Sequence, residues 1–181
     1  SNVIADLGKL FGEAIAKRHD RALTGLFSSF TAQIGAPQDE LTVTDLFKAY
    51  STLRAASVPG QYVGVFNPKA IYNIKKTMTN TFNPNANVNV VNQAMSEGYV
   101  GRIAGIDIYE SANVVEDSAT SATNAVFSAD ALGLAVAQNI NIETERDASL
   151  RATEFVASTR YGVQVLHNSY GIKLIGDNQI N

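Results

Sequence analysis

Glu143, Glu145 and Asp147 alternate with Ile142, Thr144 and Arg146, and this is the one carboxylate constellation in the chain to weigh for chemistry. In a strand the alternation puts the three acids on one face, each ~6.5–7 Å from the next. Such a row can bind a cation or supply paired carboxylates for acid–base work. No histidine or nucleophile lies nearby in sequence to build a site around it. The plainer reading is a solvated strand face near Arg146 and Arg151, or a rim of subunit contacts. The two histidines, His19 and His167, are far apart in sequence and lack metal-ligand spacing. Cysteine is absent, which removes disulfides, thiolate metal sites and cysteine nucleophiles together. No Walker loop, dinucleotide fingerprint or G-x-S-x-G elbow occurs. Gly98, Gly101 and Gly105 fit turn geometry rather than phosphate binding. The residues therefore offer no catalytic, cofactor-binding or metal-ligating assignment, and no cofactor is expected.

Composition narrows the classes further. The 181 residues are 45 % apolar and only 17 % charged, enough for one domain or two small lobes sharing a core. No apolar run approaches the ~18 residues of a membrane span, and no basic-then-apolar signal segment opens the chain. Ser1-Asn2 reads as the remnant of a tag. The net charge is −3 and the basic residues are scattered, so no patch suited to sequence-independent phosphate contacts is visible. Neither a specific nucleic-acid sequence nor a membrane is an expected partner.

The elements that would position these residues follow from periodicity. Ile4, Leu7, Phe11, Ala14, Ile15, Ala22, Leu26 and Phe30 recur at helical spacing, predicting a helix from Val3 to about Ile34, ended by Gly35-Ala36-Pro37. Gly8 and Gly12 share a face and would admit a close neighbour. Its mixed charges read as a solvated or partner-facing side. Thr42 is an N-cap with Asp45 as a capping-box partner, opening a helix whose stripe is Leu46, Tyr50 and Leu53. Phe11, Phe27, Phe30 and Phe47 fall on helical stripes and read as core. Tyr62 to Phe66 reads as a buried strand. Asn67 caps a short helix with Pro68 at its first position, Ile71 and Ile74 facing inward.

Thr79 to Asn92 is asparagine-rich and predicts a long polar loop, with a short strand around Val88, Val90 and Val91. Tyr99–Ile103 and Ile106–Glu110 form a hairpin turned at Ala104-Gly105. Ala112 to Asn124 reads as loop, Ala125 to Phe127 as a short strand, and Ser128 to Leu134 as helical turns capped by Ser128. Ala135–Arg146 and Ala152–Arg160 read as long strands joined near Asp147-Ala148-Ser149. Val163–Leu166 and Ile172–Ile175 complete a sheet. Tyr99, Tyr109, Tyr161 and Tyr170 read as core or interface residues. The class is α+β with an antiparallel-rich sheet.

In this order the motifs resemble the major capsid proteins of tailed phages, with the Hong Kong 97-type fold. GKLFGEAIAKRHDRAL, Gly8 to Leu23, looks like the family's long spine helix. LTVTDLFKAYSTLRAASVPGQYVGVFNPKAIYNI, Leu41 to Ile74, looks like its axial helix, strand and Asn-Pro helix start. GYVGRIAGIDIYES, Gly98 to Ser111, looks like the G-x-V-G-x-I-x-G-x-x-V-Y-x-S hairpin, with Ile108 where the pattern has valine. AVFSADALGLAVAQNINIETERD and STRYGVQVL look like the closing strands of the peripheral domain. The resemblance implies a spine helix over residues 1–41, an axial domain of mixed sheet with flanking helices over 42–125, and closing peripheral strands with a return to the axial sheet over 126–181. It implies a non-enzymatic subunit of an icosahedral phage capsid that self-assembles around double-stranded DNA. Copies would form pentamers and hexamers, with scaffold and portal proteins as further partners, assembly in the bacterial host cytoplasm, and residence in the virion. The family's N-terminal arm and extended hairpin loop have no counterpart before the helix. The expectation is thus a folded core without its lacing elements, monomeric or weakly associated alone. An encapsulin-like nanocompartment shell, a small α+β ligand-binding module under the loop at Thr79–Asn92, and a hydrolase or lyase using the Glu143/Glu145 face are the alternatives.

Overall fold

A computed structural model describes residues 3–81, 101–114, 116–118 and 120–179. The first helix, α1, runs Val3–Thr24, and the chain then tightens into a 3-10 turn over Gly25–Ser29. The predicted continuation to Ile34 is not made. Phe27 and Phe30 keep helical spacing, but both are drawn into a core, and the Thr24 hydroxyl donates to the carbonyl of Asn113 at 2.8 Å. A short strand, β1 at Ala32–Ile34, follows.

Helix α2 spans Val43–Ala55. At its start the Asp45 carboxylate accepts from both the Thr42 N–H (3.0 Å) and the Thr42 hydroxyl (2.7 Å). Burial opposes ionisation of Asp45, but the hydrogen bonds from Thr42 and Lys48 outweigh it and hold the carboxyl below its ordinary value. A carboxyl lowered in the folded state adds stability above its ordinary pKa and loses it as pH falls through the folded value. Asp45→Asn is therefore expected to cost about 1 kcal/mol near neutral pH, with the gap from the parent closing toward about pH 3. Urea denaturation at the two pH values checks it.

Strand β2 is Tyr62–Phe66, and helix α3 is Pro68–Thr81, longer than the short helix predicted, with Ile71 and Ile74 buried as expected. Asn67 Oδ1 accepts from the Lys69 N–H at 3.0 Å, so Asn67 caps α3 and Pro68 holds its first position. α3 takes in Thr79–Thr81, the start of the predicted polar loop. The rest of that stretch, with Val88, Val90 and Val91, and the hairpin residues Gly98 to Val100 lie outside the described residues.

Strands β3, Arg102–Ile103, and β4, Ile106–Glu110, form the described part of the hairpin. Ala104 and Gly105 both have positive φ, 53° and 82°, which is the type I′ turn that matches strand twist. A Cβ on Gly105 would stand 2.8 Å from the Tyr50 ring, so the position needs glycine twice over. Ala104→Asn places a residue tolerant of this conformation and is expected to add about 0.5 kcal/mol, read as a raised urea midpoint.

Two strands, β5 at Glu116–Ser118 and β6 at Ser121–Ser128, occupy what was predicted largely as loop. The small polar residues of β6 mimic a loop in sequence, but Ser121, Thr123 and Asn124 are buried and find tertiary partners. Ser128 stands before a 3-10 turn at Ala129–Ala131, yet its hydroxyl does not cap that turn and donates instead to the Pro59 carbonyl at 2.8 Å. Strands β7, Leu132–Asp147, and β8, Ala152–Val165, are longer than predicted. Val163–Val165 continues β8 instead of forming a separate strand. Strand β9, Gly171–Asp177, closes the chain.

The main sheet has the order β1-β9-β6-β2-β4-β3, with β5 beside β6. It is mixed: β1–β9 and β2–β4 are parallel, the remaining pairs antiparallel. One face is covered by Leu46, Ala49, Leu53, Ile71 and Ile74 of α2 and α3, packed on Tyr62, Phe66, Ile106, Val126 and Leu174. The other receives Phe27 and Phe30, packed with Ala125 and Phe127. Buried on both faces, β6 is the centre of the fold. β7 and β8 pair only with each other among the described residues, in a long ribbon whose base joins the core through Leu132 and Val165. α1 lies along it, with His19 edge-on to Tyr161 at 4.2 Å.

Candidate assembly surface

The acid row lies where the alternation predicted it. Glu143, Glu145 and Asp147 share one face of β7, and β8 sets Glu154 directly opposite Glu145. Residues opposed in an antiparallel pair share a face, so four acids gather at the far end of the ribbon, and the Glu145–Glu154 pairing is unfavourable. The row is not assembled into a site. Glu143, Glu145 and Glu154 are exposed. Glu143 accepts from Asn141 at 2.9 Å. Asp147 is committed to its turn, accepting from the Ser149 hydroxyl at 2.6 Å, and that bond, with those from the Ser149 and Leu150 N–H groups, lowers its pKa. No group of three or more histidines and acids is placed to hold a metal ion among the described residues. His19 rests on Tyr161 and His167 on Tyr170, neither near the acids in the ladder. No helix among the described residues is long and apolar enough to cross a membrane.

A second polar cluster escaped sequence reading altogether. At the N-terminus of α3, Asn124 Oδ1 accepts from the Asn67 N–H at 2.7 Å, and Asn124 Nδ2 donates to the Leu174 and Ala122 carbonyls. The Asn178 amide beside Glu116 and the Lys69 ammonium at 3.3 Å hold the Glu116 carboxyl below its ordinary value. The Asn178 side chain, itself buried, makes no hydrogen bond of good geometry. Thr123 donates a short hydrogen bond to Asp117. The cluster ties β2, β5, β6 and β9 to one helix end. Its members are distant in sequence, so only the partnership of each buried polar group would have revealed it.

The exposed apolar side chains are distributed unevenly. Among the described residues, all the large ones except Phe47, Tyr72 and Tyr109 lie on α1, β7, β8 or the turns flanking β8. Phe47 was expected in the core and is instead 55 % exposed, because the sheet takes Leu46 and Leu53 and leaves Phe47 on the outer side of α2. Leu134, Val136, Ile140 and Ile142 form an uncovered stripe along β7. Gly8 and Gly12 have no atom of this chain within 4 Å of an added Cβ, so the close neighbour predicted for that face is not supplied from within the described chain. A hollow of about 320 Å³ opens at the ribbon base around Gly133, Ala135 and Gly162. The core of the main sheet is closed; the ribbon and its helix are not. Concentrated apolar exposure of this kind marks interaction surfaces.

No family profile and no curated protein matches the chain in sequence. Solved structures match it in shape. One described as Mycobacterium phage Che8 superposes with a TM-score of 0.73 at 18 % identity, covering 90 % of this chain and 60 % of that one. The capsid structure of cyanophage P-SCSP1u gives 0.73 at 17 % identity over 99 % of this chain and 67 % of that one. The holo-SrpI encapsulin complex of Synechococcus elongatus gives 0.68 at 15 % identity over 98 % and 68 %. The chain thus spans about 60–70 % of the length of these structures. At such identities the likeness concerns architecture, and over nearly its whole described length the chain has the Hong Kong 97-type fold of tailed-phage major capsid proteins.

Proposed function

We infer that this chain is a structural subunit of an icosahedral phage capsid, built from copies of itself in pentamers and hexamers around packaged double-stranded DNA. The observation that carries the reading is the likeness to capsid subunits over 90 % or more of the chain. The uncovered α1–β7–β8 lobe supports it, because a shell subunit must keep apolar surface for its neighbours. The mechanism is geometric: residues 42–125, joined in one sheet by β1, the end of β6 and the returning strand β9, form an axial lobe crowding the five- and sixfold axes, while α1 and the β7–β8 ribbon form a peripheral lobe meeting neighbours at the threefold and twofold axes. Many modest contacts reusing the same surface sum to a closed shell. Scaffold and portal proteins are further partners in this reading, and the assembled product resides in the virion after assembly in the host cytoplasm. The likeness to the SrpI encapsulin favours a second reading, a nanocompartment shell enclosing protein cargo.

Electron microscopy of the full-length protein expressed in a bacterium tests both. Closed particles are the expected result. Particles purified with double-stranded DNA favour the capsid, and particles holding a co-purifying protein without nucleic acid favour the nanocompartment. A stable small oligomer whose enzymatic turnover is lost on Glu145→Ala would sink both.

A further inference from the structure

Strand β8 is paired with β7 along one edge, and no strand is bonded to its outer edge among the described residues. α1 lies against a face of the ribbon, with His19 on Tyr161. An open edge is a template for another strand, and proteins blunt such edges with lysine, proline, a bulge or a very short strand. β8 has none of these devices. It is 14 residues long and contains neither lysine nor proline. At both register shifts the extra residue belongs to β7: Val136 to Gln138 lies against Tyr161 to Arg160, and Gln138 to Asn141 against Arg160 to Ser158. The bulges therefore interrupt β7 and leave β8 regular.

The charges of β8 say which strand fits that edge. Glu154 and Arg160 are the only charged residues of β8. Both are exposed, and neither has an ion-pair partner among the described residues. An even spacing puts them on one face. They stand three residues to either side of Ala157. A second β8 laid antiparallel about a two-fold axis at Ala157 sets Glu154 opposite Arg160 of the other copy, and Arg160 opposite its Glu154. A slip of the other copy by two residues loses both pairs, because Glu154 then meets Ser158 or Gly162. Axes at Glu154 or at Arg160 oppose like charges, as does parallel pairing in register. On the other face the axis at Ala157 opposes Thr153 to Tyr161 and Phe155 to Thr159, β-branched against aromatic side chains, which is favourable across strands.

The antiparallel sense also suits the ribbon as a whole. Its turn end is net acidic, with Glu143, Glu145, Asp147 and Glu154 against Arg146 and Arg151. Roughly 20 Å of strand separates Glu154 from Arg160, so the two acidic ends lie apart. Glu154, which meets Glu145 across the β7–β8 ladder, gains a cation on its other side.

We propose that β8 pairs edge to edge with β8 of a second copy, antiparallel about a two-fold axis at Ala157, with reciprocal Glu154–Arg160 ion pairs closing one sheet in the order β7-β8-β8-β7. The pairing rests on the shell-subunit reading for its second copy and deepens it. It is an isologous contact, of the kind that the two-fold axes of a closed shell require.

Two measurements on the full chain test it. Glu154→Arg and Arg160→Glu should each weaken self-association about tenfold or more in sedimentation, because either reversal opposes like charges twice across the axis. The double variant Glu154→Arg/Arg160→Glu restores both pairs with the signs exchanged, so it should recover most of the loss. An equimolar mixture of the two single variants should recover likewise. The absence of cysteine permits a positional test. Val156→Cys and Ser158→Cys are at exposed positions, opposed across the axis. Mixed and oxidised, with folding checked by circular dichroism, they should give a disulfide-linked heterodimer in excess over either homodimer. Particles in which the double variant is as weak as the single ones, or in which a 156–158 cross-link is no more abundant than 156–156, would overturn this pairing and leave the shell reading standing. A chain that stays monomeric at every concentration, with no cross-link and no particles, would overturn both.

Discussion

Asn124→Ala is expected to destabilise the chain by about 3–5 kcal/mol, a large share of a typical domain's stability. Asn124 is fully buried in the central strand β6 and uses both ends of its amide. Truncation strands the Asn67 N–H and the Leu174 carbonyl away from water, each at about 1–3 kcal/mol. The orphaned N–H belongs to the cap residue of α3, so the loss also reaches the helix start. Asn124→Asp is a discriminating companion. It keeps an acceptor for Asn67 but loses the donor and introduces a buried charge, so it should be no milder near neutral pH and should recover in part on acidification. Urea denaturation followed by circular dichroism measures both. A loss under 1 kcal/mol for Asn124→Ala would mean that the cluster is not what joins α3 to the sheet.

The second large effect is expected at Gly171, the first residue of β9. A Cβ there would stand on the ring of Phe30, far inside contact distance of three ring atoms. Phe30 is 1 % exposed and stacks with Phe127, so the ring has nowhere to go. Gly171→Ala should cost about 2–4 kcal/mol through overpacking, and Phe30→Leu alone about 1–3 kcal/mol through lost volume. The double variant should cost clearly less than the sum, since the smaller side chain vacates the space that the new methyl needs. Strict additivity in thermal and chemical denaturation would show that the two positions do not meet.

The sequence was most legible where one residue does one local job. Tyr62–Phe66, the Asn67-Pro68 start, the Thr42–Asp45 pair and the Ala104-Gly105 turn all depend on chemistry within a few residues. It was least legible where distant partners decide. Ser121 to Asn124 resemble a loop because small polar side chains usually satisfy local backbone. Here they are satisfied by Ser118, Asp117, Asn67 and Leu174, so they can line a buried strand. The end of α1 was overrun because Phe27 and Phe30 keep helical spacing while serving a different core. The acid row was correctly placed on one strand face, but the surface around it was not foreseen. Alternation fixes which residues share a face, and says nothing of whether that face is covered.

The pairing of β1 with β9 has a consequence for the order of events during synthesis. Ala32 lies beside Ile172, so the earliest strand of the main sheet waits for residues made 140 positions later. Contacts of such long sequence separation form slowly and late. Until β9 emerges, β6 lacks one of its two long neighbours and the pocket for Phe30 has no Gly171 wall. A nascent chain therefore cannot complete its main sheet, and the sheet acts as a completeness check that delays the native fold until translation has passed β9.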